Sequence, residues 1–502
     1  MANTILEKLQ DRYPDRPGTS DARNIAEVLA GNRGANAIAD VADGFGKATV
    51  LYTDGLLIIN ELAEDRKANI AEHGEVVKEY DPWCSRQPYK FAKSAHRPWH
   101  NERLAILSVK FGSEVKPLKM DVWFTNFQNC TSFDFSGLDT SKAVSFNSTF
   151  YGCTGLTSLD LSSFDTSSAT AMTGMFYDCT ALTSLDVSGF DTSSATAMTC
   201  MFYDCTALTS LDVSGFDTSK VKNMSAMFLN CSALTSLDVS GFDTSEVQTF
   251  GSMFRKCSAL TSLDVSGFDT SKALDMTAMF TDCSALTTLD VSGFDTSECM
   301  YWASVFNGCS ALTTLDVSGF DTSKAINMNS IFKGCTNLTS LDVSGFDTSE
   351  VQTFGSMFMN CYSIASLDVS GFDTSDCQDF SNMFNHCRAI SSLDLSNFDT
   401  SKVTDMHDMF KDMRAMTVLD VSSFDTYHTT NMSEMFMSNP LIETIVASGN
   451  FVTNSVTNSN KMFKDCPKLV GGNGTTYDAN HVDSEYARID TEETPGYFTA
   501  AS

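Results

Sequence analysis

Two rhythms of apolar and polar positions run along most of the chain, and they recur together every 26 residues. In the copy Leu182-Thr-Ser-Leu185-Asp-Val187-Ser-Gly-Phe190, Leu185 and Val187 alternate with Asp186 and Ser188. That two-residue rhythm predicts a strand with one buried face. From Thr196 onward, Met198, Met201, Phe202 and Cys205 follow at spacings of three, one and three, which predicts the buried stripe of a short helix. Each copy is therefore expected to be a strand, a turn and a short helix.

The landmarks of the repeat hardly drift. Cysteine returns at Cys153, Cys179, Cys205, Cys231, Cys257, Cys283, Cys309, Cys335, Cys361 and Cys387, after which Met413 and Asn439 take the slot. A unit this small cannot bury both faces alone and must stack on its neighbours. The expected fold class is an α/β repeat solenoid with a parallel β-sheet, short helices on the other face, and a cap at each end.

The rest of the chain divides around this stretch. Residues 1–45 read as a separate, polar, partly helical attachment segment, with charges from Glu7 and Lys8 onward and so no apolar core of a secretory signal. Residues 46–130 read as an N-terminal cap, with a hairpin turning at Asp54-Gly55. Residues 131–466 are the repeat. Residues 467–502 leave the period and read as a C-terminal cap in which Tyr477, Tyr486, Ile489 and Phe498 close the core. No stretch is apolar for the roughly 18 residues of a membrane span.

Two ladders refine the stacking. The residue after Asp-Thr-Ser runs Lys220, Glu246, Lys272, Glu298, Lys324, Glu350, Asp376, Lys402, so unlike charges mostly fall on adjacent rungs and a one-rung slip is penalised. Methionine dominates the position Met172, Met198, Met224, Phe250, Met276, Trp302, Met328, and reads as core filler.

Composition adds a net charge of −30 over 502 residues, much of it repeated aspartate. Such a surface repels nucleic acid and anionic lipid and attracts cations or basic partners. The 16 cysteines mostly follow the packing period, and reduced, buried thiols are expected rather than disulfides. The seven histidines are scattered without metal-ligand spacing, and no catalytic triad, phosphate loop or zinc signature is present. No catalytic or metal residue is assigned.

The repeat LTSLDVSGFDTSKVKNMSAMFLNC resembles the 26-residue repeat of the BspA-like leucine-rich-repeat surface proteins, the DUF285 family. WHNERLAILSVKFGSEVKP before it and LVGGNGTTYDANHVDSEYARID…PGYFT after it are similar to the flanks of that family. The resemblance implies a leucine-rich-repeat solenoid displayed outside a cell, used for adhesion and without catalysis. Members usually carry an export signal or wall anchor. This chain begins instead with a segment loosely similar to the attachment segments of bacteriophage fibre and decoration proteins, so display on a virion surface is expected, with an extracellular or cell-surface location as the alternative.

Two sets of residues are candidates for binding. The first is a ladder on the sheet face: Asp186, Asp212, Asp238, Asp264, Asp290, Asp316, Asp342 and Asp368. Like charges one rung apart repel, and the offset comes from hydroxyl hydrogen bonds and water, from bridging Ca²⁺, or from a sugar or basic protein ligand. No other cofactor is expected. The turn aspartates, as in Asp191-Thr192-Ser193, are expected to bond their own following amides. Gly189 and its equivalents are expected to serve backbone conformation.

The second set lies where the repeat is least regular: Tyr177, Arg255, Lys256, Lys333, Asn385 and His386. Variation there reads as ligand specificity or as drift on a tolerant face. The sequence reading is thus a non-enzymatic surface-displayed scaffold, most simply a phage fibre or decoration protein contacting a protein or glycan on a bacterial or host surface. Residues 1–45 would attach to a virion partner. Nucleic-acid binding and membrane insertion are not expected, and a homo-oligomer is compatible with the reading. The alternatives are a structural decoration without receptor role and a bacterial cell-surface adhesin.

Overall fold

A computed structural model of the chain describes residues 49–53, 56–60, 78–80, 103–111 and 115–502. The expected helices within residues 1–45 and the Asp54-Gly55 pair lie outside the described residues. The chain divides into two compact units, residues 1–221 with 231–234, and residues 222–230 with 235–502.

The first unit opens with strands β1 (Thr49–Thr53), β2 (Leu56–Asn60), β3 (Lys78–Tyr80), β4 (Ser108–Phe111) and β5 (Ser132–Asp134), in the sheet order β3-β1-β2-β4-β5. Strands β1 and β2 form the expected antiparallel hairpin with Thr53 opposite Leu56. From β2 through β4 to β5 the pairing is parallel, which sets the direction for the coils that follow. The second unit ends with β6 (Val418–Asp420), β7 (Thr444–Ala447) and β8 (Phe498–Ala500), a parallel three-stranded sheet in that order.

Between these sheets the strand half of each coil keeps the expected alternation. Leu185 and Val187 are buried while Ser184, Asp186 and Ser188 are exposed. The rungs there touch through side chains more than through a long ladder. Thr183 donates its amide to Thr157 O at 3.0 Å at the start of the stretch, and further backbone pairing is sparse.

The helix half does not form helices. Its amides donate instead to the next rung: Met172 to Ala197, Gly174 to Thr199, Phe176 to Met201 and Asp178 to Tyr203, at 2.7–2.9 Å. In the second unit Phe250, Ser252, Phe254 and Lys256 pair in the same way with Asp275, Thr277, Met279 and Thr281. The intervening amides close tight turns, as Tyr177 N to Gly174 O. Two residues per coil take left-handed backbone angles, such as Gly174 and Asp178 at φ +58° and +60°, and Ser252 and Lys256 at +58° and +61°. A run of such turns puts residues at spacings of three and four on one side, as a helix does. The stripe Met198, Met201, Phe202 and Cys205 is fully buried as expected, but on stacked turns. The same pattern already operates at Met120, whose amide bonds Ser145 O.

The core is a set of columns running through each unit. Phe150, Phe176 and Phe202 stack at 5.7 Å in the first unit, and Phe254, Phe280, Phe306, Phe332 and Phe358 at 5.8–5.9 Å in the second. The Met172 column is buried throughout, as core filler should be. The described cysteines are free, and each ladder thiol donates to the carbonyl of the phenylalanine one coil back, as Cys179 to Phe150 O at 3.2 Å and Cys283 to Phe254 O at 3.1 Å.

Burial pushes these thiols up, Cys335 and Cys387 to about 12. Because the thiolate is the reactive form, alkylation of the native protein should be slow, with half-buried Cys200 labelled first among the described cysteines. All 16 should react after denaturation. Fast labelling of ladder thiols in native protein, read by peptide mass spectrometry, would contradict this packing.

One column was not foreseen. The threonine of Asp-Thr-Ser is buried, and its hydroxyl donates to the aspartate carbonyl of the next rung: Thr192 to Asp217 O at 3.0 Å, Thr296 to Asp321 O at 2.9 Å. The charge ladder pairs as expected, with Lys272–Glu246, Lys324–Glu298 and Lys402–Asp376 at 2.6–2.7 Å. These exposed pairs act on register more than on stability. Gly189 does not serve conformation: its φ is not positive, and a Cβ there would meet nothing.

The C-terminal cap closes the stack with Tyr497 and Phe498, both fully buried, against Phe463 and Phe436. Phe498 thus closes the core as expected, joined by Tyr497, which the sequence reading did not name, while Tyr477 and Tyr486 lean on Tyr497 from outside and Ile489 is half-buried. Asp490, 6% exposed, ties the cap by accepting from the amides of Asn473 and Thr475 at 2.9 Å, the Thr475 hydroxyl at 2.6 Å and the Gly496 amide at 3.2 Å.

Candidate functional site

The aspartate ladder lines shallow open grooves. In the second unit Asp264, Asp290, Asp316, Asp342 and Asp368 stand over a floor that includes Leu289 and Leu315, around about 790 Å³. In the first, Asp186 and Asp212 line a groove of about 450 Å³ with Asp160. Asp238 carries the same turn in the second unit.

Each of these carboxylates is occupied locally. Asp186 accepts from the Ser188 amide at 3.0 Å and hydroxyl at 2.7 Å, and the same pair of bonds recurs at Asp264, Asp316 and Asp368. The serine bonds hold Asp186, Asp238, Asp264, Asp290, Asp316 and Asp342 below the usual carboxylate range. Repulsion from the neighbouring aspartate, as Asp290 on Asp264, is present but smaller. Hydroxyl and amide donors are therefore the offset that the ladder requires. The turn aspartates behave alike, Asp191 accepting from Ser193 N at 2.9 Å. Among the described residues no group of three or more His, Cys, Asp or Glu is placed to hold a metal ion.

A pH dependence follows. Burial raises Asp490, but its hydrogen bonds outweigh that and the net shift is downward, in line with the ladder. The folded values lie below the unfolded value of about 4. These contacts thus add stability that is complete above that value and is lost as the pH falls through the folded values. The urea midpoint should decline slightly below about 6.5, where buried His386 resists protonation, and drop more steeply below about 5 as the carboxylates titrate. A midpoint that rises on acidification would show that repulsion along the ladder dominates instead.

The irregular candidates do not form one site. Tyr177 stacks between Tyr151 and Tyr203 at 4.7 and 4.2 Å in the first unit. Lys256 and His386 occupy left-handed backbone positions. The slot they share runs Gly152, Asp178, Asp204, Asn230, Lys256, Asp282, Gly308, Gly334, Asn360, His386, Asp412, mostly the residue types that tolerate that conformation. Backbone geometry therefore restricts part of the variation read as specificity or drift. Gly308 is left-handed at φ +75°, and a Cβ there would in addition overlap Asp282 Oδ1. Arg255 and Lys333 are half-buried, and Arg255 Nε has no hydrogen-bond partner among the described residues.

Asn385 and His386 belong to a polar cluster in the second unit. Asn385 is 2% exposed, donates to Asn382 Oδ1 at 2.7 Å and meets His386 Nδ1 through its carbonyl. Burial lowers His386, whose Nε2 lies 3.5 Å from Asp412 Oδ2. Asp412 is also held by Arg388 Nε and Arg414 Nε, both at 2.7 Å. Burial raises Asp412, but the two guanidiniums bring it below the usual range. Arg388 lies over the Tyr362 ring at 4.6 Å. His407 bridges Asp405 Oδ1 at 2.7 Å and Asn382 Nδ2 at 2.9 Å. Tyr362, Arg388 and Arg414 were missed in the sequence. The signal was there: they share one slot, which elsewhere runs Thr180, Thr206, Ser232, Ser258, Ser284, Ser310, Thr336.

The family described as "Mycoplasma protein of unknown function, DUF285" matches residues 119–236, 207–314, 279–392 and 386–489. The chain belongs to the DUF285 family. Its repeat is the leucine-rich, BspA-like one. Among solved structures, a leucine-rich repeat protein from Eubacterium ventriosum is similar at 16% identity over 86% of this chain and 99% of that one, with a TM-score of 0.35. The functional domain of InlJ from Listeria monocytogenes, which includes a cysteine ladder, is similar at 20% identity over 59% of this chain and 64% of that one, with a TM-score of 0.21. No curated protein matches the chain in sequence.

Proposed function

We propose that this DUF285 chain is a non-enzymatic scaffold displayed on a virion or cell surface, binding a protein or glycan on a bacterial or host surface. The observation that carries the reading is how the repeat spends its polar groups. Ser188 satisfies Asp186, Ser193 satisfies Asp191, and Thr192 bonds the next rung, so the frame needs no ligand to stand. Residues outside these bonds, at the slot shared by Tyr177, Arg255 and Lys333 and at the slot of Arg414, vary along the repeat, and these four reach solvent. A fixed frame with variable exposed positions suits recognition better than chemistry.

Display on a virion through residues 1–45 is the form of the reading we favour, by the likeness of that segment to phage attachment segments. The competing reading is a decoration that only builds or stabilises a particle. Titrating fluorescently labelled full chain onto bacterial cells separates the two. Saturable binding, competed by unlabelled chain, supports the scaffold, and a linear non-competed signal on every strain tried would leave only the structural role. Antibody labelling of purified virions and intact cells then settles the place of display.

A further inference from the structure

We propose that Arg388 and Arg414, with Tyr362 beside them, form a binding site for an oxyanion: a phosphate, sulfate or carboxylate group carried by a surface polymer. The inference rests on the scaffold reading and names the chemistry of one contact.

The three residues occupy one slot on successive rungs, where earlier rungs carry only serine or threonine. Rungs repeat at about 4.8 Å, so the two guanidiniums lie side by side. Asp412, with its side chain 5% exposed, receives Arg388 Nε on Oδ2 and Arg414 Nε on Oδ1. The carboxylate is thus an internal clamp that uses one N–H of each arginine. Among the described residues the Nη groups of both make no hydrogen bond, and the side chains are 37% and 57% exposed.

Tyr362 fixes the plane of Arg388 from one face. Two guanidiniums against one carboxylate leave one net positive charge, on a chain whose total is −30. His386, 3.5 Å from Asp412, adds a second when protonated. Lys411 close by is engaged by Asp408 and Glu434 and adds no free cation. Paired, oriented N–H donors on a pre-set fork match the oxygens of a phosphate, sulfate or carboxylate.

The test uses the full chain labelled at arginine Nε, with inorganic phosphate and glucuronate as probes at constant ionic strength in chloride. Saturable shifts of the Arg388 and Arg414 signals are expected with at least one probe. Phosphate alone would indicate a tetrahedral group and glucuronate alone a planar one. Removing a guanidinium, in R388Q or R414Q, should weaken binding roughly tenfold. The double variant R388K/R414K, which keeps the charge but not the fork and is checked by thermal melting, should also bind more weakly than wild type.

Non-saturating shifts with both probes, or lysine variants that bind like wild type, would overturn the site. Saturable cell binding alongside that result would leave the scaffold reading standing. Probe binding without cell binding would do the reverse.

Discussion

Asn439→Ala is expected to destabilise the coils around it by about 3 kcal/mol or more. Asn439 stands in the cysteine slot, fully enclosed, and does more than the thiols it replaces. Its Nδ2 donates to Phe410 O and Phe436 O at 2.8 Å, and its Oδ1 accepts the Met413 amide at 2.7 Å. Alanine strands two buried carbonyls and an amide, each costing about 1–3 kcal/mol when unmet. Asn439→Cys should cost clearly less, because a thiol in this slot reaches the carbonyl one coil back, as Cys387 reaches Phe358 O at 3.1 Å. Urea unfolding with hydrogen exchange at Met413 reads both variants. Equal losses for alanine and cysteine would show that the hydrogen bonds of the slot matter little.

Phe280→Ala should cost about 3–5 kcal/mol. The ring is fully buried and stacked between Phe254 and Phe306, each at 5.8 Å, so its loss opens a cavity that neighbours fixed by their own columns cannot fill. Phe280→Leu should recover a large part by keeping most of the volume. A shift in urea midpoint of less than that expected for about 1 kcal/mol would mean that the column collapses to close the gap.

Much of this architecture was legible in the sequence, because the alternation of Leu185 and Val187 with Asp186 and Ser188 has only one physical reading. The buried thiols and methionines, the Asp191 turn and the Lys272–Glu246 pairing likewise follow from residue type and period. The helix half misled for a specific reason. Met198, Met201, Phe202 and Cys205 share a side whether the chain is a helix or a run of left-handed and right-handed turns. Spacing alone cannot tell these apart. What could was the recurrence of Gly, Asn and Asp at the slot of Asp178 and Gly308, which a helix interior disfavours.

Thr192 was overlooked because a threonine in an Asp-Thr-Ser turn reads as surface, although its hydroxyl serves the next rung. Gly189 was over-read, as its backbone is ordinary. At the candidate sites, aspartate recurrence drew attention to the most regular row. Tyr362, Arg388 and Arg414 were hidden because their slot is visible only when copies are compared position by position.

Stacked turns with two left-handed residues each, not helices, form the second half of every described repeat and set which residues face solvent. Far-ultraviolet circular dichroism of the full chain tests it most directly. The expected spectrum has a helical signal no larger than the residues outside the described ones could supply. A spectrum carrying the helix of one or two turns in every repeat would contradict it.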